Sequence, residues 1–295
     1  MRWAEGFIAV DWGTTNRRAY RIDEKSECVA SFEDDQGVLS VAPGRFPAAA
    51  QSIRERLGDG PLLMAGMVGS TRGWAEAPYV SCPASLEALA TRVAWVEPGR
   101  AAIVPGLSIR DGGHPDVMRG EEIQLFGALA GGLIPPTAFV CHPGTHNKWV
   151  TVRDGCIGTF RTVMTGEMFN QLRERGTLSE LLGGNVTPGD AFRDGVARGL
   201  RGEALGAELF SVRARVLLGD LARSAAASFT SGLLIGADMK VGLGLAAGAE
   251  MIILGRPELT CLYAEAAAVA DHAARQVDGE AAFLAGAIAL ARTLP

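Results

Sequence analysis

The stretch Phe7-Ile8-Ala9-Val10-Asp11-Trp12-Gly13-Thr14-Thr15-Asn16 decides the fold, because an apolar strand runs directly into a tight turn that contains glycine and threonine. About 130 residues later the arrangement returns, as Ala138-Phe139-Val140-Cys141 leads into His142-Pro143-Gly144-Thr145-His146-Asn147-Lys148. Each stretch predicts a strand, a turn and a second strand. A glycine turn exposes consecutive backbone N–H groups and threonine adds a hydroxyl, so each turn suits anionic oxygens. Two such turns, opening two halves of similar architecture, predict a nucleotide held from both sides.

Length and composition restrict the class of protein. The 295 residues fit two domains of about 150 residues better than one. The 33 acidic and 28 basic residues give a net charge of -5, and the basic residues are scattered rather than arranged in the stripe that a nucleic-acid binder carries. We therefore expect no nucleic-acid partner.

The cysteines and the apolar segments predict a cytoplasmic protein. Five cysteines, an odd number without a C-x-x-C pair, indicate reduced thiols rather than disulfides or structural zinc. No segment is expected to reach the roughly 18 apolar residues of a membrane span, since Leu243–Leu254, for example, contains Glu250. The N-terminus enters a strand at once and leaves no room for a signal peptide. We expect no membrane partner.

The sequence predicts two domains that begin in the same way. Gly131–Pro136 is the best candidate boundary, which gives domains at residues 1–134 and 135–295. Strands are predicted at 7–11, 18–22, 28–33, 62–67 and 101–105, and then at 138–142, 148–153, 156–162 and 251–254. Helices are predicted at 47–57, 120–129, 166–175, 189–200, 203–218, 220–239, 257–270 and 280–292. Residues 74–100, with three prolines, are predicted to be irregular.

Several residues near the turns have side chains suited to nucleotide chemistry. Asp11, at a strand end, can hold Mg²⁺ beside phosphates or can be a solvated turn residue. Arg18 can reach a phosphate oxygen or lie on the surface. The group His146, Asn147 and Lys148 beside a glycine turn favours a functional site over a structural one. Gly255, between a strand and a helix, lets a flat base lie against the backbone, although any strand–helix unit can have this pattern.

Longer motifs identify the chain as a member of a known family. Asp11–Asn16 and Gly144-Thr145 resemble the two phosphate loops of the actin, hexokinase and Hsp70 ATPase superfamily, and Gly255 with its helix resembles that superfamily's adenosine element. Within the superfamily, six segments resemble the 2-dehydro-3-deoxygalactonokinase family. These segments are Val10–Ala19, Met64–Ser70, Val117–Leu125, Pro143–Val150, Phe160–Glu167 and Ser231–Ala237.

The resemblance implies an α/β fold of two ribonuclease-H-like (actin-like ATPase) domains with an interdomain cleft. It also implies ATP- and Mg²⁺-dependent phosphorylation of 2-dehydro-3-deoxy-D-galactonate on its terminal hydroxyl, in galactonate catabolism. Asp11 is the implied metal ligand. The implied nucleotide-binding residues are Asp11, Gly13, Thr14, Thr15, Asn16, Gly144, Thr145, Lys148 and Gly255. His142 stands where the superfamily usually has an Asp, so Lys148 is a candidate for part of that charge role.

The catalytic base is expected near the predicted boundary. Glu121 is the first candidate and Glu122 the second, because a helix N-terminus keeps a carboxylate ionised; one of them can instead simply cap the helix. We expect an arginine to bind the substrate carboxylate, because a planar guanidinium can donate hydrogen bonds to both carboxylate oxygens at once. The predicted substrate-binding residues are Arg18, Ser70, Trp74, Tyr79, Arg119, Arg161 and Glu167, with Glu167 also a third candidate base.

Two other functions stay open at this stage. One is a related sugar or sugar-acid kinase of the same fold. A kinase that acts on a neutral sugar would not need the arginine. The other is a nucleotide-binding regulator without catalysis, which would lack a usable base. The assembly state is also open, with a homodimer as one candidate.

Overall fold

The chain folds into two compact units in a computed structural model that describes residues 2–110 and 113–294. Unit 1 comprises Met1–Thr137, Val152–Thr159 and Gly279–Pro295, and unit 2 comprises Ala138–Thr151 and Phe160–Asp278. The domain limits at residues 1–134 and 135–295 stay a prediction. The compact units differ from them in three segments, residues 135–137, 152–159 and 279–295.

Unit 1 is built on a mixed β-sheet that begins with the first glycine–threonine hairpin. Its strands are β1 (Phe7–Trp12), β2 (Arg17–Ile22), β3 (Cys28–Asp34), β4 (Leu62–Gly66), β6 (Ala94–Glu97) and β7 (Ala101–Ile103), in the order β3-β2-β1-β4-β7-β6. β1 pairs antiparallel with β2 and parallel with β4, and β4 pairs parallel with β7. The carboxyl ends of β1 and β4 therefore meet at one edge, where Trp12 lies opposite Gly66.

A small second sheet and three helices complete the N-terminal part of unit 1. β5 (Tyr79–Ser81), β8 (Gly106–Ile109) and β9 (Asp116–Met118) pair in the order β5-β8-β9. The helices are α1 (Phe46–Leu57), α2 (Leu86–Ala90) and α3 (Glu121–Ala130). Side chains from β1, α1, β4 and β7 form one buried apolar cluster, which includes Trp12, Phe46 and Met64.

Unit 2 repeats the strand order. Its sheet is formed by β10 (Ala138–His142), β11 (Asn147–Arg153), β12 (Cys156–Val163), β13 (Met251–Gly255) and β14 (Ala274–Asp278), in the order β12-β11-β10-β13-β14. The end of β11 and the first half of β12, within residues 152–159, are grouped with unit 1. β13 pairs parallel with both β10 and β14. The helices are α4 (Thr165–Glu174), α5 (Asp190–Arg201), α6 (Leu205–Leu218), α7 (Ala226–Ala246) and α8 (Pro257–Val269). In both sheets the first four strands of the set lie in the order third, second, first, fourth.

The C-terminal helix α9 (Gly279–Ala291) belongs to unit 1 because it packs backbone to backbone against α3. A Cβ atom on Gly127 of α3 would lie 1.8 Å from the carbonyl oxygen of Ala282, and one on Gly286 of α9 would lie 2.0 Å from that of Ile123. Only glycine leaves room for so close a crossing. In unit 2, α5 and α7 cross in the same manner through Gly195 and Gly232, among others.

The structure corrects the predicted elements at several positions. Residues 74–100, predicted to be irregular, contain β5, α2 and β6, and β14 was not predicted. The helix predicted at 220–239 begins at Ala226 and continues to Ala246. With the preceding turn it forms a segment, Arg223–Ala246, that has the length and apolarity of a membrane span, contrary to the expectation that no segment would. Since 67% of its apolar window is buried, it also fits a core helix.

Candidate active site

The first glycine–threonine turn connects β1 to β2 and is held from behind by residues 37–39. The N–H of Gly13 donates to the carbonyl of Asn16 over 2.9 Å and closes the turn. The carbonyls of Gly13, Thr14 and Thr15 accept hydrogen bonds from the backbone N–H groups of residues 38, 39 and 37. Thr14, Thr15 and Asn16 are exposed, so the turn has a fixed backbone and polar side chains open to a ligand.

Asp11 lies at the end of β1, directly opposite Arg18 of β2. An Arg18 Nη atom lies 2.7 Å from an Asp11 carboxylate oxygen, and both side chains are about one-fifth exposed, at 17% and 21%. Burial opposes the charge of Arg18, but Asp11 and other acidic groups outweigh it and raise the pKa of Arg18. The guanidinium of Arg18 therefore stays charged beside the turn. The structure thus brings these two predicted site residues together.

The predicted catalytic glutamates stand at the same edge of the sheet as Asp11. Gly66 ends β4 with φ +95°, and Gly120 precedes α3 with φ +107°, conformations that favour glycine. A Cβ atom on Gly120 would lie 3.1 Å from the Cα atom of Gly66, and one on Gly66 would lie 2.8 Å from the carbonyl oxygen of Trp12. These close backbone contacts hold the start of α3, and with it Glu121 and Glu122, against the carboxyl ends of β1 and β4.

Glu121 and Glu122 both accept hydrogen bonds from the backbone before their own helix. The N–H of Arg119 donates to Glu121 over 3.0 Å, and the N–H of Gly120 donates to Glu122 over 2.7 Å. Glu121 is partly exposed, whereas Glu122 is 0% exposed and its Oε1 has no hydrogen-bond partner among the described residues. Burial and then the neighbouring Glu121 charge raise the pKa of Glu122 to about 8. Glu122 is therefore mostly protonated at neutral pH.

Arg119 connects α3 to the segment that follows β4. Its guanidinium donates to the carbonyl of Ala77 over 2.8 Å and lies 4.4 Å from the centre of the Tyr79 ring. The Nε and Nη1 atoms are buried and lack a hydrogen-bond partner within residues 2–110 and 113–294. Ser70 Oγ donates to the carbonyl of Met67 over 2.7 Å, and Trp74 lines a cavity of about 670 Å³ in unit 1. Of these predicted residues, Arg119 and Tyr79 are thus in contact with each other, whereas Ser70 forms a hydrogen bond within its own turn.

The second glycine–threonine turn, in unit 2, rests on the first turn of α4. A Cβ atom on Gly166 would lie 2.5 Å from the carbonyl oxygen of Gly144, and the N–H of Glu167 donates to the carbonyl of Thr145 over 2.9 Å. The carboxylate of Glu167 lies 2.5 Å from the imidazole of His146, and both side chains are partly exposed. The backbone and the side chain of Glu167 therefore both contact the second turn. Lys148 is 3% exposed in β11.

An apolar cavity of about 270 Å³ adjoins the second turn. Its wall contains Gly144, Thr145, Thr165, Gly166, Phe169, Asn170, Val186, Ser231, Leu234, Ile235, Leu259, Leu262 and Tyr263. The size and the mainly apolar wall suit a nucleoside, with the turn at one side for its phosphates. Gly255 ends β13 beside Pro143, and α8, which follows it, contributes Leu259 and Leu262 to the wall. Gly255 and Gly144 therefore belong to one region of unit 2.

A buried acid that sequence reasoning missed lies beneath this cavity. Asp238, in α7, is 1% exposed and accepts hydrogen bonds from Asn147, Trp149, Thr165 and Tyr263. Burial raises the pKa of Asp238, and the four hydrogen bonds oppose that shift. An acidic residue within the apolar run of α7 is the one sequence signal that could have indicated it.

Two further site predictions concern Arg161 and the metal ligands. Arg161 lies on β12 in unit 2 and is half-buried. Across residues 2–110 and 113–294, no group of three or more His, Cys, Asp or Glu side chains is arranged to hold a metal ion. A Mg²⁺ ion in a nucleotide site commonly uses only one or two carboxylates, together with phosphate oxygens and water.

Known proteins resemble this chain along nearly its whole length. A family model described as 2-keto-3-deoxy-galactonokinase matches residues 11–290. The 2-dehydro-3-deoxygalactonokinase of Escherichia coli (strain K12) is 37% identical over 292 residues, which is 98% of each chain. A Sinorhizobium meliloti crystal structure, provisionally assigned to the same enzyme, is 34% identical, with a TM-score of 0.87 over 97% of this chain and 98% of the other.

A more distant structure bears on the fold alone. The Acidaminococcus fermentans (R)-2-hydroxyglutaryl-CoA dehydratase component A is 13% identical, with a TM-score of 0.54 over 97% of this chain and 98% of the other. Together with the repeated strand order, these similarities confirm the predicted α/β fold of the actin-like ATPase class.

Proposed function

Because the chain belongs to the 2-keto-3-deoxy-galactonokinase family, we propose that it transfers the γ-phosphoryl group of ATP to the terminal hydroxyl of 2-dehydro-3-deoxy-D-galactonate. The chain is a phosphotransferase with an alcohol acceptor. We place it in sugar-acid metabolism, as an enzyme of galactonate catabolism. The substrate oxygen forms a bond to the γ-phosphorus, the bond to ADP breaks, and the hydroxyl proton passes to a base. The observation that carries the proposal is the family match across residues 11–290, which include both glycine–threonine turns.

The apolar cavity of unit 2 is our proposed nucleoside site. Gly144 and Thr145 would donate to phosphate oxygens, and the first residues of α8 after Gly255 would contact the base. Lys148 would add positive charge. Phosphate-binding roles are also proposed for the first turn, in unit 1, at Gly13, Thr14, Thr15 and Asn16. The support is the apolar wall beside a polar turn.

Asp11 would hold Mg²⁺, which neutralises charge on the transferring phosphate when it is bound. The carboxylate suits this role because it is partly exposed and lies beside the turn. Its partner Arg18 would then contact a phosphate oxygen or the substrate. Asp11→Asn is expected to raise the Mg²⁺ concentration needed for half-maximal activity by at least about tenfold. An unchanged Mg²⁺ requirement would remove Asp11 from the metal site.

Glu121 would accept the proton of the substrate hydroxyl. It is ionisable and partly exposed at the edge that also holds Asp11, whereas Glu122 is buried and mostly protonated at neutral pH. Glu122 would hold its proton and fix the start of α3. One carboxylate would therefore accept the proton, and the other would stabilise the start of the helix.

The substrate-binding residues are proposed around the same edge of unit 1 and on β12. Arg119 and Arg161 are the preferred partners of the sugar-acid carboxylate, since a guanidinium matches its two oxygens. Support for Arg119 comes from its two buried nitrogens without a hydrogen-bond partner in the described structure. Its contacts with Ala77 and Tyr79 also brace the segment that carries Ser70 and Trp74. Glu167, beside the second turn, completes the proposed set.

A coupled assay of ADP release tests the substrate. We expect ADP release with 2-keto-3-deoxy sugar acids and the highest kcat/KM with 2-dehydro-3-deoxy-D-galactonate. The neutral sugar galactose is the matched control, because it lacks the carboxylate. ADP release with neutral hexoses alone would overturn the sugar-acid assignment. The cytoplasmic location, the absence of nucleic-acid and membrane partners, and the homodimer remain predictions.

A further inference from the structure

Asp238 is a buried acid in unit 2 with four hydrogen-bond donors around it, and the proposed chemistry does not use it. It accepts from Asn147 Nδ2 over 3.0 Å, from Trp149 Nε1 over 2.6 Å and from Thr165 Oγ1 over 2.6 Å. The hydroxyl of Tyr263 donates over 2.5 Å. The four donors come from β11, α4 and α8, so one carboxylate of α7 connects three other elements.

These donors lead directly to the nucleotide region. Thr165 and Tyr263 line the 270 Å³ cavity, and Asn147 is the first residue of β11 after the second glycine–threonine turn. Gly166, next to Thr165, is in backbone contact with Gly144 of that turn. The carboxylate thus fixes the exit of the turn, the start of α4 beneath it, and one wall of the cavity.

We propose that Asp238 is a positioning residue for the nucleotide, which sets the spacing between the second turn and the cavity wall formed by α8. This inference rests on the proposed use of ATP. A carboxylate suits the position because it only accepts hydrogen bonds, and four donors surround it. An amide would turn an N–H group toward at least one of those donors and leave a buried donor without an acceptor.

A positioning role for Asp238 and a role in fold stability alone predict different results for ATP binding. A residue that only stabilises the fold changes the amount of folded protein, but folded molecules bind ATP normally. A residue that sets the spacing of the cavity changes the affinity of the folded protein for ATP and leaves the KM for the sugar acid unchanged.

The test measures binding of a non-hydrolysable ATP analogue by calorimetry, together with both KM values, on folded wild type, Asp238→Asn and Tyr263→Phe. We expect Asp238→Asn to weaken analogue binding and raise the KM for ATP by at least about tenfold, with the KM for the sugar acid within about threefold of wild type. Tyr263→Phe removes one donor and retains the ring, so it is expected to fold and to show a smaller loss in the same direction.

Thr230→Val is the matched control. Thr230 is also buried in α7, but its hydroxyl donates to the carbonyl of Ala226 in the same helix, and the residue does not line the cavity. Its analogue affinity should equal that of wild type. Equal affinities in wild type and both test variants, or an equal loss in Thr230→Val, would overturn the inference. A wild-type protein that binds no analogue would instead refute the proposed use of ATP.

Discussion

Adjacent residues at the start of α3 have very different surroundings. Glu121 is partly exposed, whereas Glu122 is completely buried with one oxygen unpaired among the described groups. The proposed base is therefore the glutamate that water and substrate can reach. The sequence made Glu121 the first candidate and Glu122 the second, but their difference in burial could not be predicted, because it depends on the backbone contact of Gly66 with Gly120.

Replacing Glu121 with Gln should lower turnover by at least about 10²-fold and leave ATP binding nearly unchanged, since the amide cannot accept the hydroxyl proton. Steady-state kinetics and calorimetry measure the two quantities. Glu87→Gln is the control, because Glu87 also lies in the first turn of a helix in unit 1. If Glu121→Gln turned over like wild type, the base would have to be Glu122 or Glu167.

Glu122 should make the free energy of unfolding depend on pH. Its pKa is about 8 in the folded chain against 4.5 ordinarily, so between these values the folded state binds more protons than the unfolded state. Stability from this group is therefore fully present below about pH 4.5 and is lost as the pH rises to about 8. The loss amounts to about 3–5 kcal/mol.

Urea unfolding of wild type and Glu122→Gln at several pH values between 5 and 8 checks this dependence. The amide keeps an acceptor for the N–H of Gly120 and cannot ionise, so the variant should gain stability relative to wild type as the pH rises. A stability difference that stayed constant across the range would show that Glu122 is ionised in the folded protein.

At the scale of elements, glycines decide which helices can pack together. In α7 a Cβ atom on Gly232 would lie 2.1 Å from the carbonyl oxygen of Phe192 in α5, whereas one on Gly244 would meet nothing within 4 Å. The same substitution in one helix therefore has opposite expected effects. Gly232→Ala should destabilise unit 2 by about 3 kcal/mol or more through overpacking. Gly244→Ala should stabilise it by about 0.5–1 kcal/mol through helix propensity.

Thermal and urea unfolding of the two variants measure these effects side by side. Similar stabilities for Gly232→Ala and Gly244→Ala would mean that α5 and α7 do not approach as closely as their glycines indicate.

The elements that sequence patterns predicted are those with strong local signals. The β11–β12 hairpin follows from Asp154-Gly155, both of which adopt positive φ, at +50° and +77°. The missed strand β14 contains Ala274-Arg275-Gln276-Val277-Asp278 and has little apolar pattern, so only its pairing with β13 defines it. β5 lies among prolines and likewise depends on a partner distant in sequence, since it pairs with β8. β6 pairs with the neighbouring β7.

At the scale of the whole molecule, the repeated strand order was predictable and the path of the C-terminus was not. The two glycine–threonine turns and the strands around them indicated two related sheets. The assignment of α9 to unit 1 depends on Gly127 and Gly286, which meet across 159 residues of sequence and leave no local signal. Asp238 escaped prediction for the same reason, because its donors come from three separate elements.

The most direct test of the account is ³¹P nuclear magnetic resonance of the wild-type protein with ATP, Mg²⁺ and 2-dehydro-3-deoxy-D-galactonate. The account predicts loss of the γ-phosphate signal, formation of ADP, and a new phosphomonoester signal split into a triplet by the two protons of the terminal carbon. Release of inorganic phosphate without a phosphomonoester, or an ATP spectrum that does not change, would contradict it.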